Sequence, residues 1–233
     1  MLSVSGLQVY YGQSLILNDV TIDVPTGQAV CVMGRNGVGK TTLLKAIMGT
    51  IKARRGTISY NGADITQAQT HKRATAGIGY VPQGRGIFPH LTVYENLLMG
   101  FEAAPKRRFN QDAVDEVYAI FPVLKQMGKR VAGTLSGGQQ QQLAIGRVLV
   151  RDPKLLLLDE PTEGIQPNIV EEIENLIHTL RTQKQMAILL IEQFLDFAMG
   201  IADTCYVMEK GQIVVQASTK NLSQEIIKEH LSV

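Results

Sequence analysis

Nine consecutive residues, Gly34-Arg35-Asn36-Gly37-Val38-Gly39-Lys40-Thr41-Thr42, constrain this chain more than any other stretch. They read G-x-x-x-x-G-K-T with a second threonine behind. An apolar run, residues 29–33, precedes them, and a helix-like run, 43–48, follows. Strand, glycine loop and helix in that order make a phosphate cradle. Glycines let successive backbone N–H groups turn around an anion without Cβ clashes. The start of the helix adds unpaired donors and a partial positive charge. Lys40 can reach the β- and γ-phosphates, and the Thr41 hydroxyl can ligate Mg²⁺. The motif specifies a nucleoside triphosphate and is silent on what the energy drives.

The rest of the chain supplies strands and helices to match. Residues 7–11 and 16–24 read as short strands broken at Gly12, and Pro25-Thr26-Gly27 as the turn into the strand before the glycine loop. Residues 56–60 read as a further strand, and Asn61-Gly62 behind it as a hairpin turn. A polar helix at 67–76 and a buried strand at 78–82, ending in Gln83, come next. From about residue 86 to 150 the pattern turns helical, at 93–100, 112–121 and 139–149. An apolar strand (154–159) then leads to a helix with Ile169, Val170, Ile173, Leu176, Ile177 and Leu180 on one face. A strand (187–191), a helix (194–201) and a hairpin of 204–208 with 212–216 complete the pattern. Such alternation implies a parallel sheet with helices on both faces. The expected architecture is therefore α/β. Residues 1–85 and 151–233 form a parallel core with an N-terminal antiparallel β piece, and residues 86–150 a helical insert.

At 233 residues with 45% hydrophobic content, one domain with a subdomain has ample core. The 23 basic and 21 acidic residues leave a net charge of +2, which gives no electrostatic case for a nucleic-acid partner. Two basic clusters, Lys52-Ala53-Arg54-Arg55 and Lys106-Arg107-Arg108, read as solvated loops. Cys31 and Cys205 sit in separate apolar runs and read as isolated, buried, reduced core residues. His71, His90, His178 and His230 share no ligand spacing. The first residues do not read as a signal peptide. No uncharged apolar run approaches the roughly 20 residues that cross a bilayer. The expected location is cytoplasmic, with any membrane role coming through a partner.

Two further motifs carry chemistry. Leu155-Leu156-Leu157-Leu158-Asp159-Glu160 is an all-apolar strand ending on two carboxylates. Such a strand is buried on both faces, and its C-terminal end is where a parallel sheet presents ligands. Asp159 can hold Mg²⁺ there, and Glu160 is placed to polarise an attacking water. Leu135-Ser136-Gly137-Gly138-Gln139 pairs a good N-cap with glycines that leave N–H groups open at a helix start. It is a second anion-binding helix end in a chain with one phosphate loop.

In order and separation these three motifs resemble the ATP-binding cassette family over essentially the whole chain. The resemblance implies a P-loop NTPase (RecA-like) fold and an ATP hydrolase coupled to solute transport, with ATP and Mg²⁺ bound. It implies that Leu135, Ser136, Gly137, Gly138 and Gln139 bind the γ-phosphate of a nucleotide held by a second subunit, two chains sandwiching two ATP molecules. Tyr11 matches the aromatic that stacks on adenine. Gln83 matches the glutamine that contacts Mg²⁺ and relays motion to the membrane subunit, which puts residues 85–89 near that partner. The implied metal positions are Thr41, Gln83 and Asp159. The nucleotide positions are Tyr11, Gln83 and the loop from Gly34 to Thr42.

Two positions depart from the family pattern. Gln166 stands where many members have Asp, and Glu192-Gln193 where many have a γ-phosphate-sensing His. A glutamine amide donates a hydrogen bond to phosphate but carries no proton charge. Catalysis then leans on Glu160, with Gln193 in the sensor place. Both departures resemble the importers of branched-chain amino acids and amides, and within them the shorter ATPase subunit. Val81-Pro82-Gln83-Gly84-Arg85 and the segment 162–167 look closest to the urea-transport branch, with branched-chain amino acids as the alternative. The implied partners are a second, related ATPase subunit, two permeases and, indirectly, a solute-binding protein, at the cytoplasmic face of the membrane. The short tail after Gly211 is expected to leave no room for the regulatory domain of sugar-type importers. Heptad arms, a second cassette and an Asn-Lys-x-Asp guanine reader are not found in the sequence, against chromosome-maintenance, translation-factor and GTPase readings.

Overall fold

Three strands are buried at every residue: β3 (Ala29–Met33), β7 (Leu155–Asp159) and β8 (Ala187–Glu192). Strands of that kind are stable only inside a sheet covered on both faces. In the computed structural model, which describes residues 1–102 and 109–221, they form the centre of a six-stranded sheet. β6 (Ile78–Val81), β9 (Thr204–Glu209) and β10 (Gln212–Ser218) complete it, in the order β10-β9-β3-β8-β7-β6. The five strands from β9 to β6 run parallel, and β10 turns back antiparallel on β9. The basic cluster Lys106-Arg107-Arg108, and His230, lie outside the described residues.

Alternation along these strands sorts the core into two layers. Ala29, Cys31, Met33, Leu156, Leu158, Ile188 and Leu190 face one side. There they meet helices that include α3 (Val93–Glu102), α6 (Gly137–Leu149), α7 (Pro167–Gln183) and α8 (Leu195–Ile201). Val30, Val32, Leu155, Leu157, Leu189 and Ile191 face the other, where the cover is not helical throughout. It consists of α1 (Lys40–Met48) and a four-stranded antiparallel sheet ordered β2-β1-β4-β5. That sheet is built from β1 (Leu2–Tyr11), β2 (Ser14–Val24), β4 (Ala53–Tyr60) and β5 (Ala63–Asp64). Helices thus lie on both faces as expected, and the expected antiparallel piece shares the cover of the second. Leu2, Val4, Leu7 and Val9 of β1, with Leu17, Val20, Ile22 and Val24 of β2, are all buried and supply the alternative cover.

The antiparallel strands are longer than their sequence suggested. Gly12, at φ 60, sits in the tight turn between β1 and β2, the break expected there, but β1 already begins at Leu2. β4 starts before Gly56, which lies at φ 88 where the register against β1 shifts. Asn61 and Gly62 both take positive φ, as a two-residue hairpin turn demands, though β5 is only two residues long. Between β6 and β7 the elements are helical: α3, α4 (Gln111–Ile120), α5 (Pro122–Gln126), a short 3₁₀ turn and α6. α5, opened by a proline at its first turn, had no periodic signal in the sequence. The two cysteines are buried and free as expected, but not isolated: Cys31 and Cys205 face each other across β3 and β9.

One buried cation anchors the helix that follows the glycine loop. Arg73, on α2 (Thr70–Thr75), is 2% exposed. Its guanidinium donates to the carbonyls of Ala46 and Ile47, at the C-terminal end of α1, and to those of Thr66 and Ala68. It thus satisfies carbonyls the helix leaves open and complements its negative end. Arg73→Met removes the guanidinium donors from Ile47, Thr66 and Ala68 and leaves Ala46 with the Gly49 N–H alone. We expect a loss of about 2–4 kcal/mol in urea unfolding, with no change in the denaturant slope.

Candidate functional site

β3 ends at Met33, and the glycine loop begins where β9 crosses closely behind it. A Cβ on Gly34 would lie 2.5 Å from the Met208 carbonyl oxygen, so only glycine fits. Gly39 takes φ 115 and hands the chain directly into α1 at Lys40. The first N–H groups of α1 therefore open toward the loop. Lys40 is 4% exposed, and its Nζ donates to the carbonyls of Gly34 (2.7 Å) and Arg35 (3.0 Å). It also stands 3.6 Å from Glu160 Oε1. Burial lowers the pKa of this ammonium, while the charges of Glu160 and Asp159 pull it back up.

The end of β7 supplies the acids. Asp159 Oδ1 accepts from the Thr41 hydroxyl at 3.0 Å, and Oδ2 from the Tyr80 phenol at 3.2 Å. Burial raises the Asp159 pKa despite these two bonds. Burial, followed by the neighbouring Asp159 charge, raises the Tyr80 phenol in turn. Glu160 adopts the left-handed region, φ 51, as the chain leaves the sheet, and its N–H donates to the Ile191 carbonyl on β8. For a residue with a Cβ this is a strained conformation of the sort that clusters at functional sites. Its side chain takes two amides: Gln83 Nε2 donates to Oε2 at 3.0 Å, and Gln193 Nε2 to Oε1 at 2.8 Å. Gln83 also donates to Glu163 at 3.1 Å.

A cavity of about 410 Å³ opens over these groups. Tyr11, Gly37, Gly39, Lys40, Thr41, Thr42, Gln83 and Glu160 line it, with Asn36 and Ile16. Tyr11 ends β1 and is 48% exposed, its ring at the cavity rim. Val38 packs against the second core layer. The candidate metal ligands are hard oxygen donors: the Thr41 hydroxyl, one Asp159 oxygen 3.0 Å from it, and the Gln83 amide. That donor set suits Mg²⁺, which binds through one or two protein groups and fills the remainder with water and phosphate oxygens. Among the described residues no group of three His, Cys, Asp or Glu side chains could hold a metal without help.

Ser136, Gly137, Gly138 and Gln139 lie elsewhere. They line a second cavity, of about 610 Å³, with Gln142, Gly164, Ile165 and Gln166 among its other walls. Ser136 caps α6 in a reciprocal box: its Oγ accepts from Gln139 N–H, and Gln139 Oε1 accepts from Ser136 N–H at 3.0 Å. The N–H groups of Gly137 and Gly138 stand in the first turn, where the helix offers them no acceptor. Leu135 is buried, and its carbonyl accepts from Gln140. The structure thus gathers the glycine loop, Tyr11, Gln83, Asp159, Glu160 and Gln193, and keeps the Ser136 segment apart from them.

Three contacts were not read from sequence: Tyr80 on Asp159, Glu163 on Gln83, and Glu192. Glu192 is 1% exposed and accepts from the Thr162 N–H (3.1 Å) and hydroxyl (2.7 Å), and from the Gln193 N–H (3.1 Å). Burial raises its pKa against these bonds. A signal did exist: like Asp159, Glu192 is an acid that closes an all-apolar strand.

A buried lysine on a glycine loop, facing paired acids at the carboxyl ends of parallel strands, defines a P-loop nucleoside triphosphatase. Residues 17–163 match the family model described as ABC transporter. The chain is 42% identical over 215 residues to the Pseudomonas aeruginosa high-affinity branched-chain amino acid transport ATP-binding protein BraG, covering 92% of this chain and 91% of that one. It is 38% identical to the probable branched-chain amino acid transport ATP-binding protein LivF of Archaeoglobus fulgidus, covering 95% and 94%. The crystal structure of a nucleotide-free ATP-binding cassette from an ABC transporter superposes with a TM-score of 0.82 at 30% identity, covering 100% and 95%. This chain belongs to the ABC transporter family, and it is an ATP-hydrolysing subunit of that family, close to the branched-chain amino acid transport ATPases.

The Asp159 shift has a sign that can be checked. A carboxyl whose folded-state pKa is raised loses stability as pH rises above its unfolded value of about 3.9. Asp159→Asn should therefore raise the thermal midpoint, measured without nucleotide or metal at neutral pH. The gap to the parent chain should close as pH falls into the ordinary carboxylate range.

Proposed function

We propose that this chain is the ATPase subunit of an importer of branched-chain amino acids, working from the cytoplasmic face of the membrane. The observation that carries the solute is the likeness to BraG and LivF over more than nine-tenths of both chains. It favours branched-chain amino acids over the urea-transport branch that the segments at 81–85 and 162–167 resemble. Among the described residues no helix is long and apolar enough to cross a membrane, which agrees with permeases supplying the solute path. The partners of this reading are those permeases, a second ATPase subunit and, indirectly, a solute-binding protein. We read residues 86–150 as the helical subdomain carrying the partner-facing wall, and 1–85 with 151–233 as the catalytic core.

The geometry supports the following roles. Residues 34–42 wrap the phosphates, with Lys40 giving up its loop carbonyls for β- and γ-phosphate oxygens. Tyr11 stacks on adenine. Thr41, Asp159 and Gln83 would hold Mg²⁺, which would neutralise charge on the phosphate oxygens. Glu160 accepts the proton of the attacking water as the new O–P bond forms, and the bond from the γ-phosphorus to the β–γ bridging oxygen breaks, leaving ADP and phosphate. Gln193 releases Glu160 and donates its amide N–H to the γ-phosphate. Ser136 to Gln139 receive the nucleotide of the second subunit, for which their separation from Lys40 is the support.

Glu160→Gln keeps shape and removes the proton acceptor. Turnover should fall by about 100-fold or more while ATP affinity is retained, and near-parental turnover would remove Glu160 from the role. For the solute, the complex reconstituted with permeases and binding protein should show ATPase stimulation by leucine and not by urea. The opposite result would return the chain to the urea-transport branch.

A further inference from the structure

The proposed mechanism leaves one buried acid unused. Glu192 closes β8, and its carboxylate collects hydrogen bonds from two loops that do different work. From the loop after Glu160 it takes both the N–H and the hydroxyl of Thr162, and from its own loop the N–H of Gln193. Each loop continues into something functional. The Gln193 side chain reaches Glu160 at 2.8 Å. Thr162 is the last buried residue before an exposed stretch, and Gly164, Ile165 and Gln166 of that stretch share a cavity wall with Ser136 to Gln139. The Glu160 backbone is tied to the same strand end, through its N–H to the Ile191 carbonyl.

We propose that Glu192 is a positioning residue that couples the γ-phosphate contact at Gln193 to the wall offered to the partner's nucleotide. A shift of Gln193 moves a strand end whose carboxylate grips Thr162, and Thr162 sets the register of residues 163–166. The carboxylate suits this task because it is acceptor-only and serves both loops at once. A glutamine there has a single oxygen, and its NH₂ faces donors whichever way it turns. The inference rests on the reading of Ser136 to Gln139 as half of a composite site.

The test uses Glu192→Gln and Thr162→Val, alone and together, in the full chain. In Glu192→Gln, turnover should fall about tenfold or more while ATP affinity at dilute protein stays within about twofold, the split expected when an interaction away from the bound nucleotide is lost. In the Glu160→Gln background, ATP-dependent dimerisation should weaken about fivefold or more. Without nucleotide, amide hydrogen exchange should accelerate at Thr162 or at Gln193, whichever loop faces the new NH₂, because the one remaining oxygen serves only one of the two N–H groups. Thr162→Val should reproduce the pattern more weakly, and the double variant should be no worse than Glu192→Gln. If Glu192→Gln does not fold, Thr162→Val carries the test, since it removes one hydroxyl donor and keeps the carboxylate. Unchanged turnover and dimerisation, ATP affinity falling in step with turnover, or additive losses in the double variant would each overturn the coupling. If Glu160→Gln itself shows no ATP-dependent association, the composite-site reading fails and this inference falls with it. If it associates and adding Glu192→Gln makes no difference, the inference alone fails.

Discussion

A parallel sheet buried on both faces leaves polar chemistry almost nowhere to go except the ends of its strands. That constraint organises this molecule. β3, β8, β7 and β6 lie side by side, and their carboxyl ends carry, in the same order, the glycine loop, Glu192 with Gln193, Asp159 with Glu160, and Gln83. Four segments far apart in sequence become one row about 15 Å wide at ordinary strand spacing. Apolar residues upstream hold the row level. The acids can be as buried as they are because each finds a hydroxyl or an amide from the neighbouring strand end.

The row also explains why the site's charges meet. Lys40 and Glu160 approach within 3.6 Å because α1 starts above β3 and Glu160 turns back over β8 by way of its left-handed backbone. Neither is held by the other alone: Lys40 rests on loop carbonyls and Glu160 on two amides. In the proposed function Lys40 exchanges its carbonyls for the oxygens of a triphosphate. The second cavity is built on another principle, a helix start closed by its own capping box, and stands apart from the row.

Much of this was legible in the sequence, for physical reasons. The glycine loop, the leucine strand ending in acids and the capped glycine pair are local devices, so their residues announce them without the fold. Helix and strand identities followed the period of the apolar residues. What was not legible depends on partners distant in sequence. Tyr80 looks like one more residue of a buried strand until β7 brings Asp159 beside it. Cys31 and Cys205 look isolated until β3 and β9 align them. The antiparallel cover was under-read at its strand starts, since β1 begins at Leu2 and β4 at Ala53, ahead of the residues 7 and 56 where the sequence pattern suggested them. α5 is too short to show a period. Arg73 carries no signal, since its hydrogen bonds go to backbone carbonyls, which residue types do not reveal.

The amide at Gln193 has a consequence of its own. A sensor that must be a cation to greet a phosphate draws a proton from solvent as the phosphate arrives, and so links nucleotide binding to the acidity of its surroundings. An amide donates the same N–H at every pH and exchanges no proton. In the proposed role it leaves one carboxylate, already beside it, for another oxygen anion. This contact then gains its phosphate by swapping one acceptor for another, and the amide itself exchanges no proton as it does so.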